Sequence, residues 1–281
     1  MGKFDGVLIT SDYDNTISYT EGALRSGREL PPVSPANRRA IEYFMGQGGI
    51  FSVATGRALP AFAPIAPAIP MNGPTILFNG AAIYDFAACR YLHTAFLPET
   101  VRPHLALLLE RFPGLAMELY HDDNAIHAVN PNEVTRAHLH LTHQPTVAMT
   151  DLDHVPSPIS KALLEGDQSL LDRVLDFLYG TDWAAGYEIV PSATCLVELT
   201  AHGANKGGMV EKLASLLGVA RENVYCIGDH ANDIPMLRYA RIPFAPDNAI
   251  DAVHRVEGIH ILPHCEKDAI AVMIDELDRL Y

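Results

Sequence analysis

A small set of residues has the types and spacing to do chemistry together: Asp12 and Asp14, Thr55 with Gly56, Lys206, Asp229, and Asn232 with Asp233. Carboxylate oxygens are hard ligands that suit Mg²⁺, an ion that prefers octahedral geometry and keeps several waters. A threonine hydroxyl, an ammonium and exposed backbone N–H groups suit phosphoryl oxygens. Such a set has an obvious reaction. One carboxylate attacks phosphorus to give an aspartyl-phosphate, while a cation and the lysine offset the charge on the equatorial oxygens. A second carboxyl protonates the leaving oxygen and later takes a proton from water. Judged alone, Asp12 and Asp14 are a solvated strand-end pair and Lys206 a surface lysine. Two carboxylates held close coexist only beside a cation or with a proton on one of them.

The elements that carry these residues decide whether they meet. Residues 6–18 read GVLITSDYDNTIS, a β-branched apolar run of strand length ending in an acidic, turn-prone cluster. Along an extended strand, residues two apart point the same way, so Asp12 and Asp14 are expected to converge while Tyr13 faces elsewhere. Residues 19–32 are polar and read as a loop or short hairpin. Ser34 caps a helix with an apolar face of Ile41, Phe44 and Met45. A strand over 50–54 ends in Thr55-Gly56-Arg57, and another over 75–78 ends in Asn79-Gly80. From Lys206 the rhythm returns: a helix over 207–217, a strand over 224–227 ending in Gly228-Asp229, a helix over 231–239, strands over 242–244 and 259–262, and a helix over 267–280. This alternation implies an α/β fold, a doubly wound and mainly parallel sheet of Rossmann-like type with helices on its faces. All strand carboxyl ends of such a sheet lie on one edge, where distant residues share a crevice.

The middle of the chain differs. Helices over 98–112, 131–141 and 169–179 alternate with strand-like segments over 115–121, 125–129, 159–164, 187–191 and 195–199, the pattern of a small α+β domain on an antiparallel sheet. The Pro-rich stretch 145–158 is a join or a loop inside that domain. The expected organisation is a discontinuous catalytic core of residues 1–85 and 200–281, with a cap domain of residues 86–199 inserted.

The chain resembles the haloacid dehalogenase superfamily of phosphohydrolases at both ends. DYDNT looks like the family's DxDxT first motif, ATGR its second, Lys206 in NKGG its basic third, and GDHANDIPML its acidic fourth. Residues 17–54 separate the first two motifs, and residues 58–205 the second and third, so the insertion lies between motifs two and three. That arrangement is similar to the Cof-like, subclass IIB members, as is FNGAAIYD at the entry to the insertion. The resemblance implies Asp12 as nucleophile and Mg²⁺ ligand, and Asp14 as general acid/base giving its backbone carbonyl to the metal. It implies Thr55, Gly56 and Lys206 around the phosphoryl group, with Asn79 and Asn232 on the substrate side. Asp229 would bind Mg²⁺ directly and Asp233 would support it. Arg57 either touches phosphate or stabilises the following helix start. Asn15 stands where many members have Gly, which Asn's tolerance of left-handed turns allows. His230 follows the metal-binding Asp where small residues are commoner.

The totals bound the rest. A 281-residue chain with 48% hydrophobic residues is long enough to bury a real core. A formal charge of −14 without a Lys/Arg cluster argues against nucleic-acid or anionic-membrane partners; the partner that the family resemblance implies is a small phosphorylated metabolite. Cys89, Cys195, Cys226 and Cys265 lack CxxC spacing and read as reduced packing residues. With no signal pattern, and four prolines over 58–70, the expectation is a cytoplasmic protein, monomeric or a weak homodimer. The histidines at 121, 127, 138, 140 and 143, with Asp122 and Asp123, read as solvated surface; Glu118, His121 and Glu188 are guesses for substrate contact.

The leading expectation is a Mg²⁺-dependent phosphatase of a small metabolite such as a sugar phosphate. A phosphosugar mutase is the alternative on the same scaffold, and a non-catalytic phospho-accepting Mg²⁺ sensor the more distant one, disfavoured because it needs no insertion.

Overall fold

The computed structural model describes residues 2–25, 29–121, 125–142 and 147–281. The chain divides into two compact units. The first comprises Met1–Gly56, Ile65–Leu92 and Lys206–Tyr281, the second Arg57–Pro64 and His93–Asn205.

The first unit is built on a five-stranded sheet in the order His260–Leu262, Ile242–Pro246, Val224–Ile227, Leu8–Ser11, Ile50–Val53. Every neighbouring pair in it is parallel. Leu8–Ser11 sits inside, with Leu8 opposite both Val224 and Ile50, and all four of its residues are buried. A strand covered on both faces reads as a continuous apolar run, which is why Val7, Leu8 and Ile9 do not alternate with polar residues. Two helices, Pro35–Gly46 and Ala269–Asp278, pack on each other, and Asn37 Oδ1 accepts from the Ala271 N–H at 2.9 Å. Ser34 caps the first of them, its Oγ accepting from the Asn37 N–H at 3.1 Å, and Pro35 lies in its first turn. Ile41 and Phe44 fill the buried side; burying such a side chain contributes about 1.5–3 kcal/mol. Helices Lys206–Leu217 and Ile234–Tyr239 form a second packed pair.

Two expectations for this unit need correction. The stretch 19–32 is not simply a loop or hairpin, because Thr20–Arg25 is a helix. Its first turn finds an acceptor outside itself, the Asn15 side chain, which takes the Glu21 N–H at 2.9 Å. Cys89 is exposed and is therefore not a packing residue. Cys226 and Cys265 are buried, and burial pushes both thiols up, Cys265 to about 12. No helix among the described residues is long and apolar enough to cross a membrane.

The second unit carries a six-stranded sheet in the order Tyr187–Ala193, Leu196–Ala201, Ile159–Glu165, Ala116–His121, Ile126–Val129, Val147–Met149. Its pairs are antiparallel except the last, which is parallel. The Pro-rich stretch 145–158 thus supplies an edge strand inside this unit. Alternation along the strands gives the sheet two unlike faces. Met117, Leu119, Ala162, Leu164, Val197 and Leu199 share one apolar cluster with Leu105 and Leu108 of helix Val101–Arg111 and Val174 and Leu178 of helix Gln168–Tyr179. The alternate positions, Glu118, Tyr120, Lys161, Glu165 and Glu198, put polar groups on the other face, and all five are buried.

Candidate active site

The strand Leu8–Ser11 ends one residue before Asp12, whose N–H continues the ladder to the Ile227 carbonyl at 2.9 Å. Asp12 and Asp14 therefore lie in the loop after the strand, not along it, and period-two alternation does not set their directions. What turns the loop is Asn15, at φ 57, whose carbonyl accepts from Asn248 Nδ2 at 2.8 Å. Ile227, beside Ser11 in register, leads through Gly228 to Asp229. The parallel register thus delivers Asp12 and Asp229 to the same edge.

Lys206 opens the helix Lys206–Leu217 and is fully buried. Its Nζ lies 2.7 Å from Asp12 Oδ1 and 2.6 Å from Asp233 Oδ1. The other oxygen of Asp233 accepts the backbone N–H groups of Asp229 at 2.9 Å and His230 at 3.0 Å. Thr16 donates to Asp229 Oδ1 at 2.9 Å. Asp12, Asp229 and Asp233 each place a carboxylate oxygen within 4.8 Å of the others, and all three are buried. Asp14 is half-buried outside that group of oxygens, near enough for its charge to act on Asp12.

Electrostatics follow from burial. Asp12 is held well above the usual carboxylate range by desolvation; Lys206 opposes this, and the charges of Asp233, Asp229 and Asp14 add to it. Asp229 is pushed up to about 7 by burial and Asp233, against Thr16, Lys206 and Asp12. Desolvation would lower Lys206, but Asp12 and Asp233 overcome it and hold the ammonium above the usual lysine range. Three buried carboxylates against one ammonium leave a surplus of negative charge that a divalent cation would neutralise. The donor set fits Mg²⁺, since it is all oxygen, the hard donor type that this ion prefers.

Close approach explains two glycines. A Cβ on Gly228 would lie 2.4 Å from Asp233 Cγ, and one on Gly207 would lie 2.6 Å from the Pro235 carbonyl group. On the neighbouring strand end, Thr55 is fully buried and its carbonyl accepts the Asn79 N–H at 3.1 Å. Phe78 and Asn79 both take positive φ, 54 and 56. That turn presents Asn79 Oδ1 to Asn232 Nδ2 at 2.8 Å and leaves so little room that a Cβ on Gly56 would meet the Asn79 amide at 2.9 Å. Arg57 is counted with the second unit.

Sequence reasoning underrated two groups. Thr16 was legible only as part of DYDNT, and its contact with Asp229 spans 213 positions. His138, expected on solvated surface, instead has its Nδ1 2.9 Å from Glu118 Oε1 and 3.5 Å from Glu165 Oε1. Glu188 accepts the Gly203 N–H at 2.8 Å, and His121 Nε2 lies 3.1 Å from the Ser157 carbonyl. Asp122, Asp123 and His143 lie outside the described residues.

A parallel α/β sheet with a buried carboxylate and lysine centre at its carboxyl edge defines a class of α/β enzyme. The sequence profile of the haloacid dehalogenase-like hydrolases matches residues 9–274, and the chain belongs to that family. It is 25% identical to the 5-amino-6-(5-phospho-D-ribitylamino)uracil phosphatase YwtE of Bacillus subtilis, over 96% of this chain and 97% of that one. It is 27% identical to the pyridoxal phosphate phosphatase YbhA of Escherichia coli, over 95% and 97%. The structure of the subclass IIB sugar phosphatase BT4131 shares the fold, with a TM-score of 0.77 and 19% identity over 96% of this chain and 98% of that one.

Proposed function

We propose that this protein is a Mg²⁺-dependent phosphatase of the Cof-like, subclass IIB kind, hydrolysing small phosphomonoesters through an aspartyl-phosphate on Asp12. The observation that carries the reading is the buried Lys206 ammonium shared by Asp12 and Asp233, with Asp229 completing the carboxylate group. Bound among Asp12, Asp229 and the Asp14 backbone carbonyl, with Asp233 in support, Mg²⁺ would offset the charge of the phosphoryl oxygens.

The chain's own residues do the rest. One Asp12 oxygen is held by Lys206, which fixes the carboxylate's rotation and aims the other oxygen at phosphorus. Lys206 and the Thr55 hydroxyl hold the phosphoryl oxygens, together with the Gly56 N–H. Asp14 donates a proton to the leaving oxygen, then accepts one from the water that cleaves the aspartyl ester. Asn79 and Asn232 hold each other and border the phosphate. The substrate class proposed is a small phosphorylated metabolite such as a sugar phosphate, with residues 93–205 supplying specificity. Relatives named for phosphate esters as different as a ribitylaminouracil phosphate and pyridoxal phosphate support a shared phosphoryl site with varied selectivity.

The deciding experiment compares wild type with Asp12→Asn on p-nitrophenyl phosphate, with and without Mg²⁺. Loss of turnover with an unchanged circular dichroism spectrum is expected. Full activity in the variant would overturn the mechanism.

A further inference from the structure

The polar face of the second unit's sheet holds a group of side chains that the phosphatase reading does not use. Glu118 and Glu165 come from adjacent antiparallel strands, where Glu118 pairs with Leu163 and Ala116 with Glu165. They are diagonal neighbours on one face, close enough for side chains to interact. Both are fully buried. Helix Glu133–Thr142 lays His138 against them.

The partners of the two carboxylates differ. Glu118 Oε1 faces His138 Nδ1, and its Oε2 accepts from the Tyr120 hydroxyl at 2.8 Å. Neither buried oxygen of Glu165 makes a close hydrogen bond; Thr135 and His138 give it only long contacts, the latter at 3.5 Å. A buried carboxylate so weakly supported favours a proton or a cation beside it. Lys161, on the same face, is matched by Glu198 at 3.1 Å. Burial and the Glu118 charge push Glu165 up to about 7, against Thr135 and His138.

The donor geometry is that of a coordination shell. Around an ion bound at about 2.1 Å, tetrahedral or octahedral donors sit about 3.0–3.4 Å from one another. Here His138 Nδ1 is 2.9 Å from Glu118 Oε1 and 3.5 Å from Glu165 Oε1, and one donor atom from each residue lies within 4.8 Å of the others. One imidazole with two carboxylates is a borderline donor set, which favours Zn²⁺ over Mg²⁺. Tyr120 would orient Glu118 from outside the shell.

We propose that Glu118, His138 and Glu165 form a Zn²⁺-class metal site that ties helix Glu133–Thr142 to the sheet, separate from the carboxylates of the first unit. The test uses full-length chelator-stripped protein carrying Asp229→Asn, which removes the first unit's metal carboxylate. Titration calorimetry with Zn²⁺ is expected to show one ion bound per chain. Adding His138→Ala or Glu165→Gln is expected to weaken binding 100-fold or more. Absence of Zn²⁺ binding in Asp229→Asn, or affinity unchanged by both further substitutions, overturns the proposal. Where a variant does not fold, anomalous scattering at the zinc edge from Zn²⁺-soaked crystals of the unsubstituted protein decides. A peak among the three side chains supports the site; the absence of one there rejects it.

Discussion

Lys206 Nζ and Asp12 Oδ1 are 2.7 Å apart across 194 positions of sequence, and neither side chain has appreciable contact with solvent. The ammonium sits among three buried carboxylates, so it both holds Asp12 in place and limits their repulsion. Lys206→Met preserves most of the volume and removes the charge. Breaking a buried ion pair by deleting one partner costs about 3–5 kcal/mol. The variant is expected to lose stability on that scale in urea unfolding near pH 7, and to lose turnover at least 100-fold. Retained stability and activity would show that the pair is incidental.

Thr16 gives a subtler test. Its hydroxyl reaches Asp229 Oδ1 and pulls that carboxyl toward its ionised form. Thr16→Val keeps the shape and removes the donor. Partners that orient a ligand typically affect metal affinity about 10–100-fold. The Mg²⁺ concentration for half-maximal phosphatase activity should rise by that factor, while kcat at saturating Mg²⁺ changes little. An unchanged Mg²⁺ dependence would remove Thr16 from the site's support.

Gly207 is constrained by backbone, not by a side chain that can swing away. A methyl group there meets the Pro235 carbonyl carbon and oxygen at 2.6 Å. Gly207→Ala should force helix Lys206–Leu217 away from Ile234–Tyr239, costing about 1–3 kcal/mol as overpacking does. Since Lys206 is on the displaced helix and Asp233 precedes the other, activity should fall with stability. A melting temperature equal to wild type would contradict this.

Metal-free protein should respond to pH in a definite sense. Asp229 titrates near 7 when folded against an ordinary value of 3.8, so between those values the folded state holds more protons than the unfolded state. The stability contributed by that proton is complete below about pH 4 and is lost as the pH rises through 7. Glu165, also raised to about 7, adds the same sign over a similar window. Thermal melts in chelator from pH 4.5 to 8 should show this decline. Mg²⁺, by favouring ionised Asp12 and Asp229, should reduce the slope. Rising metal-free stability across the same interval would count against the charge arrangement.

The sheet and the central residues of the site were readable because their logic is local. A β-branched run ending in Asp12, and another ending in Asp229, mark strand ends, and a parallel sheet brings strand ends to one edge. Lys206, read alone as a surface lysine, took its expected role only from the motifs around it, because its contacts with Asp12 and Asp233 span 194 and 27 positions. The direction of Asp14 was not readable, since the strand stops at Ser11 and the loop geometry depends on Asn15 and on Asn248 far along the chain. Helix Thr20–Arg25 was hidden for a similar reason, its first turn being met by the Asn15 side chain. His138 lies on a helix whose sequence is polar, and only the pairing of Ala116–His121 with Ile159–Glu165 shows that two carboxylates await it.

The placement of Leu8–Ser11 between Ile50–Val53 and Val224–Ile227 also sets an order of events during synthesis. One edge of the first strand can be covered as soon as residue 53 has left the ribosome. The other edge stays open until residue 227 emerges, on the order of ten seconds or more later at about 5–20 residues per second. Through that interval the nascent chain carries an apolar, unpaired strand edge of the kind that recruits other chains. The second unit's six-stranded sheet draws all its strands from residues 116 to 201, so its own pairing does not wait for residue 227.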